Sequence, residues 1–168
     1  MPWSVCGSPY NLWYSSNMKT IFRKISGALI FSADQKLLLG QSRAGGVYKD
    51  MWTIPGGGIE EGETPIQGAV REVAEEVGID IKDFAIKELP TSNGESQKID
   101  RKTGEVQLVK MEFYTYAAYS EKVAKDIPFT CTDDLVDAQW FNFEQLQTLQ
   151  IAPGIKQILI DMGILQSY

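Results

Sequence analysis

The run Arg71-Glu72-Val73-Ala74-Glu75-Glu76-Val77-Gly78 places three carboxylates at relative positions i, i+3 and i+4. On a helix that spacing puts Glu72, Glu75 and Glu76 on one face, where like charges repel. The glycine that follows is a stop signal, so the acids also sit at the negative end of the helix dipole, where cations are favoured. Four residues after each acid stand Glu76, Ile79 and Asp80 rather than Lys or Arg, and the one basic neighbour is Arg71, four before Glu75. Repulsion and dipole mismatch each cost some tenths of a kcal/mol up to about 1, with nothing in the helix expected to offset them. A divalent cation would supply the offset. Clustered carboxylates without His or Cys select hard ions, and Mg²⁺ binds through a few carboxylates, waters and substrate phosphates. The chemistry then implied is attack of a metal-activated water on phosphorus.

Composition narrows the field further. The 168 residues include no histidine, which excludes Ser-His-Asp and Cys-His nucleophilic sites, HExxH zinc sites and imidazole acid/base chemistry. The formal charge of −6 argues against a general affinity for nucleic-acid backbone, while small phosphorylated ligands remain accessible through local basic groups or a metal. Cys6 and Cys131 form no CxxC pair and give no metal spacing, so a reduced, cytoplasmic protein is expected. No stretch reaches the length of a membrane span, and the first residues lack a cationic signal-peptide start. Residues 1–17, rich in Ser, Pro, Asn and aromatics without periodicity, read as a flexible or surface-draped extension, with Met18 a candidate functional start. Residues 18–168 are long enough for one domain with its own core.

The elements that must position the acids follow from pattern. IFRKISGALIFS and KLLLG read as a strand pair separated by turn residues Ala33–Gln35, and MWTI as a short strand near 51–54 followed by a long glycine-rich loop. Glycines there tolerate unusual φ/ψ and let backbone approach a ligand. The next segment is the best-marked helix: Thr64 as N-cap, Pro65 at the first position, Gln67 completing a capping box and Gly78 as the stop. Ile66, Ala69, Val70, Val73 and Val77 form its buried stripe. Phe84–Thr91 reads as a strand, SNGESQKIDRKTGE as a polar excursion, and VQLVKMEFYTYAAY as a long strand, with the resulting hairpin expected to frame a pocket. DAQWF reads as a strand, NFEQLQTL as a short helix, and PGIKQILIDMGIL as a helix packed by Ile155, Ile158, Leu159 and Met162. The whole predicts a single α/β domain with a mixed sheet between helices.

Gly57, five residues, Glu63, seven residues, then Arg71–Ile79 resembles the complete Nudix box, GX5EX7REUXEEXGU with U aliphatic, and every fixed position agrees. The resemblance implies an α/β/α sandwich and a Mg²⁺-dependent hydrolase, Mn²⁺ being a substitute, that cleaves a nucleoside diphosphate linked to another moiety. It makes Glu72, Glu75 and Glu76 metal ligands, with the Gly56 carbonyl as a further one. Glu63 and Arg71 become a supporting ion pair that orients the helix and Glu72. Glu60 and Glu61 fall at variable box positions and read as solvated. The general base is Glu72 or an acid from a later loop, and six residues before Trp140-Phe141 that position is Asp134, where Glu is usual.

Three further runs, RAGGVYKDMWTIPGGGIEEGE, QKIDRKTGEVQLVKMEFYTY and IAPGIKQILIDMGIL, are similar to bacterial Nudix nucleoside triphosphatases that prefer pyrimidine deoxynucleotides. That similarity implies hydrolysis of a nucleoside triphosphate to monophosphate and pyrophosphate. Other substrates of the wider family, 8-oxo-dGTP, a nucleotide sugar or ADP-ribose, stay open, as does a nucleotide-binding module without catalysis. Arg43 is a candidate phosphate contact, and Trp52, Tyr48, Phe113 and Tyr114 are candidates to stack a base, against the ordinary alternative of core aromatics. The expected partner is a nucleotide, with no nucleic acid and no membrane, and the chain is expected to be a monomer or homodimer.

Overall fold

The computed structural model describes residues 18–42, 50–132 and 135–167. The β-branched and apolar run at the start becomes β1 (Thr20–Phe31), whose second half is fully buried. After the turn at Ala33–Gln35 come β2 (Lys36–Ser42), β3 (Trp52–Thr53) and β4 (Gly56–Gly58), then α1 (Pro65–Val77). β5 (Ala85–Glu88), β6 (Ser92–Ile99) and β7 (Val106–Tyr119) follow, and the chain closes with β8 (Leu135–Asn142), α2 (Phe143–Leu146) and α3 (Pro153–Asp161).

The spine of the sheet is the parallel pair β1 and β7, in register from Thr20↔Leu108 to Phe31↔Tyr119. The other strand pairings are antiparallel. The strand order is β3-β2-β1-β7-β5, with β4 on β1, β6 on β7 and β8 on β2. Strand alternation sorts the core into two layers. Ala28, Ile30, Leu38, Tyr116 and Ala118 face α1, where Ala69, Val73 and Val77 meet them. The intervening Leu29, Phe31, Leu37, Leu39 and Ala117 face the other way, onto Leu146 of α2 and Leu159 of α3. This is the expected mixed sheet between helices. No helix among the described residues is long and apolar enough to cross a membrane.

Two segments depart from the expected pattern. The glycine run after MWTI is a strand: Gly56–Gly58 pair with Gly27–Ile25 of β1. The backbones come so close that a Cβ on Gly56 would lie 2.6 Å from the Ser26 carbonyl oxygen and 2.7 Å from the Gly27 Cα. The polar stretch Ser92–Ile99 is also a strand, paired along its whole length with β7. Most of its side chains are exposed, so it carries no apolar alternation to betray it, and backbone pairing alone places it. A tight turn sets its register. The Asp100 N–H donates to the Glu105 carbonyl at 2.8 Å, the Gly104 N–H donates to the Asp100 carbonyl at 2.8 Å, and Gly104 has φ 74°.

Candidate active site

Helix α1 is specified at both ends by its own residues. Thr64 Oγ1 accepts from the Gln67 N–H while Gln67 Oε1 accepts from the Thr64 N–H at 2.9 Å, so two orphan donors of the first turn are satisfied reciprocally. Gly78 ends the helix with φ 68°, its N–H donating to the Ala74 carbonyl. Gly68, in the first turn, lets the helix settle onto β1: a Cβ there would lie 2.7 Å from Ser26 Oγ.

The guanidinium of Arg71 is the hub of the charged face. Nε donates to Glu63 Oε1 at 2.8 Å and Nη2 to Glu63 Oε2 at 3.1 Å, a two-pronged bond of the kind the planar fork favours. Nη1 donates to Glu72 Oε1 at 2.8 Å and Glu75 Oε2 at 3.2 Å, and Nη2 also reaches the Gly58 carbonyl at 2.8 Å. The Glu60 N–H donates to Glu63 Oε2 at 2.9 Å. The Arg71 bonds, first, and then this N–H hold the Glu63 carboxyl below the usual Glu range, and the same pairing raises the Arg71 guanidinium. Side-chain exposures of 22% for Arg71, 19% for Glu63 and 14% for Glu72 give these contacts more weight than a surface pair, whereas Glu75, at 60%, is held loosely.

The expectation that nothing in the helix offsets the clustered charge is therefore corrected. One arginine spans two of the three acids, because its long side chain folds along the helix rather than out into solvent. Arg71 four before Glu75 is the one basic neighbour the spacing offers, and the contact to the adjacent Glu72 comes from the fold of the side chain.

Glu76 is 9% exposed, and its Oε2 accepts from the Gly56 N–H at 2.9 Å. Glu72 lies against the next residue of the same strand: a Cβ on Gly57 would stand 2.5 Å from its carboxyl carbon. The glycines thus serve by lacking a Cβ, not by unusual backbone angles. Of the glycines before the helix, Gly62 has positive φ, at 86°, while Gly56, Gly57 and Gly58 do not.

The C-terminal carbonyls of α1 find partners that the sequence did not announce. Thr130 N–H donates to the Val77 carbonyl at 3.0 Å and Thr132 N–H to the Glu76 carbonyl at 3.1 Å, while Thr132 Oγ1 donates to the Glu75 carbonyl. The segment leading into β8 is thereby tied to the helix end that bears the acids. Two threonines one residue apart, just ahead of Asp133 and Asp134, were the available signal.

Other candidates are placed differently. Trp52 is half-buried and packs edge-on against Phe141, with ring centroids 4.7 Å apart, in the core layer of α2 and α3; its backbone bonds Gln150 and Ala152 at 2.8 Å each. Phe113 lies beside Gly94, and the Tyr114 hydroxyl bonds Glu112, which raises the phenol above its usual range. Glu60 and Glu61 are exposed. Arg43, Tyr48, Asp134 and residues 1–17 lie outside the described residues.

Among the described residues, no three acidic or thiol side chains converge tightly enough to hold a metal ion between them. Glu72 and Glu75 turn onto Arg71, and one oxygen of Glu76 onto Gly56. The donor set nevertheless suits Mg²⁺: oxygen ligands only and few carboxylates, with Glu75 exposed to solvent.

Residues 22–162 match the model of the NUDIX domain. Over 65 residues the chain is 37% identical to the RNA pyrophosphohydrolase of Hydrogenovibrio crunogenus, an alignment covering 39% of this chain and 37% of that protein. Over 61 residues it is 44% identical to diphosphoinositol polyphosphate phosphohydrolase 2 of Mus musculus, covering 34% and 32% respectively. The matched part thus spans about a third of each of these curated relatives. The NUDIX domain of Shewanella oneidensis NrtR, solved with ADP-ribose, superimposes with a TM-score of 0.63 at 19% identity over 92% of both chains, a likeness of fold. With the box intact on a capped helix, the fold shared and the family model matched along most of its length, the chain belongs to the Nudix family.

Proposed function

We propose that the chain is a divalent-metal-dependent pyrophosphohydrolase that cleaves a nucleoside triphosphate, with pyrimidine deoxynucleotides as the preferred class, to the monophosphate and pyrophosphate. The observation that carries this reading is the arrangement of Glu72 and Glu76 against the Gly56–Gly57 backbone, with Glu75 beside them and Arg71 bridging Glu63, Glu72 and Glu75. The curated relatives, named as an RNA pyrophosphohydrolase and a diphosphoinositol polyphosphate phosphohydrolase, support cleavage at a phosphoanhydride as the bond class.

Glu72, Glu75 and Glu76 are the residues that would hold Mg²⁺ or Mn²⁺, with the Gly56 carbonyl as a further donor. When bound, the cation supplies an activated water and neutralises charge on phosphate oxygens. The chain's own part is positioning. Glu63 fixes Arg71, Arg71 fixes the direction of Glu72, and the Gly56 N–H fixes one oxygen of Glu76, while the loosely held Glu75 would turn from Arg71 to join them. Glu72 or Asp134 would take the proton of the attacking water; Thr132, two residues before Asp134 in the chain, is bonded to the acidic helix end. Arg43 and Tyr48 belong to the proposed substrate contacts, and Trp52 acts there only through its exposed part.

The test is product analysis over a panel of nucleoside triphosphates, 8-oxo-dGTP, nucleotide sugars and ADP-ribose, with Mg²⁺ and with Mn²⁺. Release of pyrophosphate and monophosphate from pyrimidine deoxynucleotides is expected. Metal-dependent nucleotide binding without any cleavage would assign the chain to the non-catalytic reading instead.

A further inference from the structure

A helix leaves its last four carbonyls without partners inside the helix. In α1 these belong to Ala74, Glu75, Glu76 and Val77. The Gly78 N–H, in the left-handed cap, donates to the first. The other three are taken by one short segment from beyond β7. Thr130 N–H donates to Val77 at 3.0 Å, Thr132 N–H to Glu76 at 3.1 Å, and the Thr132 hydroxyl to Glu75. Helix α3 solves the same problem locally, with the N–H groups of Met162, Gly163, Ile164 and Leu165 donating back to Ile158, Leu159 and Ile160. Gly78 admits the distant segment as well as ending the helix, because a Cβ there would lie 2.9 Å from Thr130 Oγ1.

The tie falls on the residues that carry the acids. Thr132 alone satisfies two carbonyls, the backbone groups of Glu75 and Glu76 themselves. The side chains of these two acids are held unequally. Glu76 is buried, with one oxygen on the Gly56 N–H, whereas the Glu75 carboxylate is largely exposed and rests on Arg71 at 3.2 Å. Glu75 has to leave Arg71 before it can serve as a ligand, and its peptide unit meanwhile stays bonded to the Thr132 hydroxyl. Each donor also offsets part of the negative partial charge at the helix end, where the carboxylates gather. The last turn has no basic residue to do this. A cationic side chain there would compete with a metal ion for the carboxylates, while a hydroxyl and an N–H are neutral.

We infer that Thr132 is a positioning residue of the metal site: its N–H and hydroxyl keep the peptide units of Glu76 and Glu75 in place while their carboxylates turn to a cation. This rests on the metal-dependent reading and adds to it a residue outside Arg71–Ile79.

Calorimetric titration of Mn²⁺ into the metal-free protein tests the role without turnover. Thr132→Val keeps the N–H and the branched shape but loses the hydroxyl, and its Kd for Mn²⁺ should rise about tenfold, the scale on which partners of metal-ligating groups act. Thr132→Ser should return the Kd close to the wild-type value. Thr148→Val is the matched control. Its hydroxyl donates to the Gln145 carbonyl of α2 at 3.2 Å, in the layer on the other side of the sheet, and its loss should leave the Kd unchanged. In turnover, the Mg²⁺ concentration giving half the maximal rate should rise in Thr132→Val by a similar factor, with kcat at saturating Mg²⁺ changed much less. A lower melting temperature in Thr132→Val with an unchanged Mn²⁺ Kd would reduce the bond to a structural tie and overturn the inference, as would a raised Kd that serine does not restore. No Mn²⁺ uptake by the wild type would remove the metal-dependent reading together with this one. Wild-type uptake matched by Thr132→Val would remove this one alone.

Discussion

Two helices flank the same sheet, and they are held by different means. Helix α1 has a reciprocal capping box at Thr64 and Gln67 and a left-handed glycine at its end. Helix α3 starts after Ala152 with no side-chain cap and is held by Leu159, fully buried, with Ile155, Ile158 and Met162 packed around it. The first is specified at both ends by its own residues and carries clustered charge on the face turned toward Gly56 and Gly57. The second depends on the apolar layer beneath it and carries none of the proposed chemistry. Both helices bury apolar side chains against the sheet, and the contrast lies in what is added to that burial: caps and an arginine hub on α1, no side-chain cap on α3.

The sharpest way to break this comparison is Glu76→Gln. Turnover should fall by at least about a hundredfold, beyond what loss of an outer positioning contact costs, while the fold persists, since the amide oxygen can still accept the Gly56 N–H. Without metal, melting temperature should be kept or raised as repulsion at the helix end is relieved. Wild-type activity in this variant would remove Glu76 from the metal site. On the opposite face, Leu159→Ala should cost about 2–5 kcal/mol in a denaturant titration, with kcat of the folded fraction unchanged. A changed kcat would show that the two faces are not independent.

Gly57→Ala should lower turnover about tenfold with a small cost in stability. The new Cβ meets the flexible end of Glu72, which can move aside but then leaves its place on Arg71. Unaltered activity would detach Glu72's position from its function.

The smallest effect concerns pH. Glu63 has its folded-state pKa lowered by Arg71 and the Glu60 N–H, so its contribution is fully present above the ordinary Glu range and is lost as pH falls through the lowered value. The gap in melting temperature between the wild type and Glu63→Gln should accordingly narrow as pH is brought below the ordinary carboxylate range. A gap that stays constant on acidification would mean that the Glu63 charge does not hold the clamp.

Much of this was legible because it is local. Thr64, Pro65, Gln67 and Gly78 announce the ends of α1 by chemistry acting within a few residues, and the box spacing is a feature of the chain itself. The long apolar strands β1 and β7 were equally readable from their composition. What stayed hidden depends on partners distant in sequence. Strand β6 exists because β7 lies beside it, and the glycines of β4 became a strand because β1 approaches within contact of their backbone. Trp52, a candidate for stacking a base, turned into a neighbour of Phe141 across the sheet, and the helix end acquired Thr130 and Thr132 from a segment more than fifty residues away.

The sequence alone thus determined the acidic helix, its caps and the spacing of its carboxylates, since capping and periodicity are short-range. Only the tertiary structure decided where those carboxylates point. Arg71 gathers Glu63, Glu72 and Glu75 while Gly56 holds Glu76, an outcome of side-chain reach and backbone proximity that no linear spacing encodes.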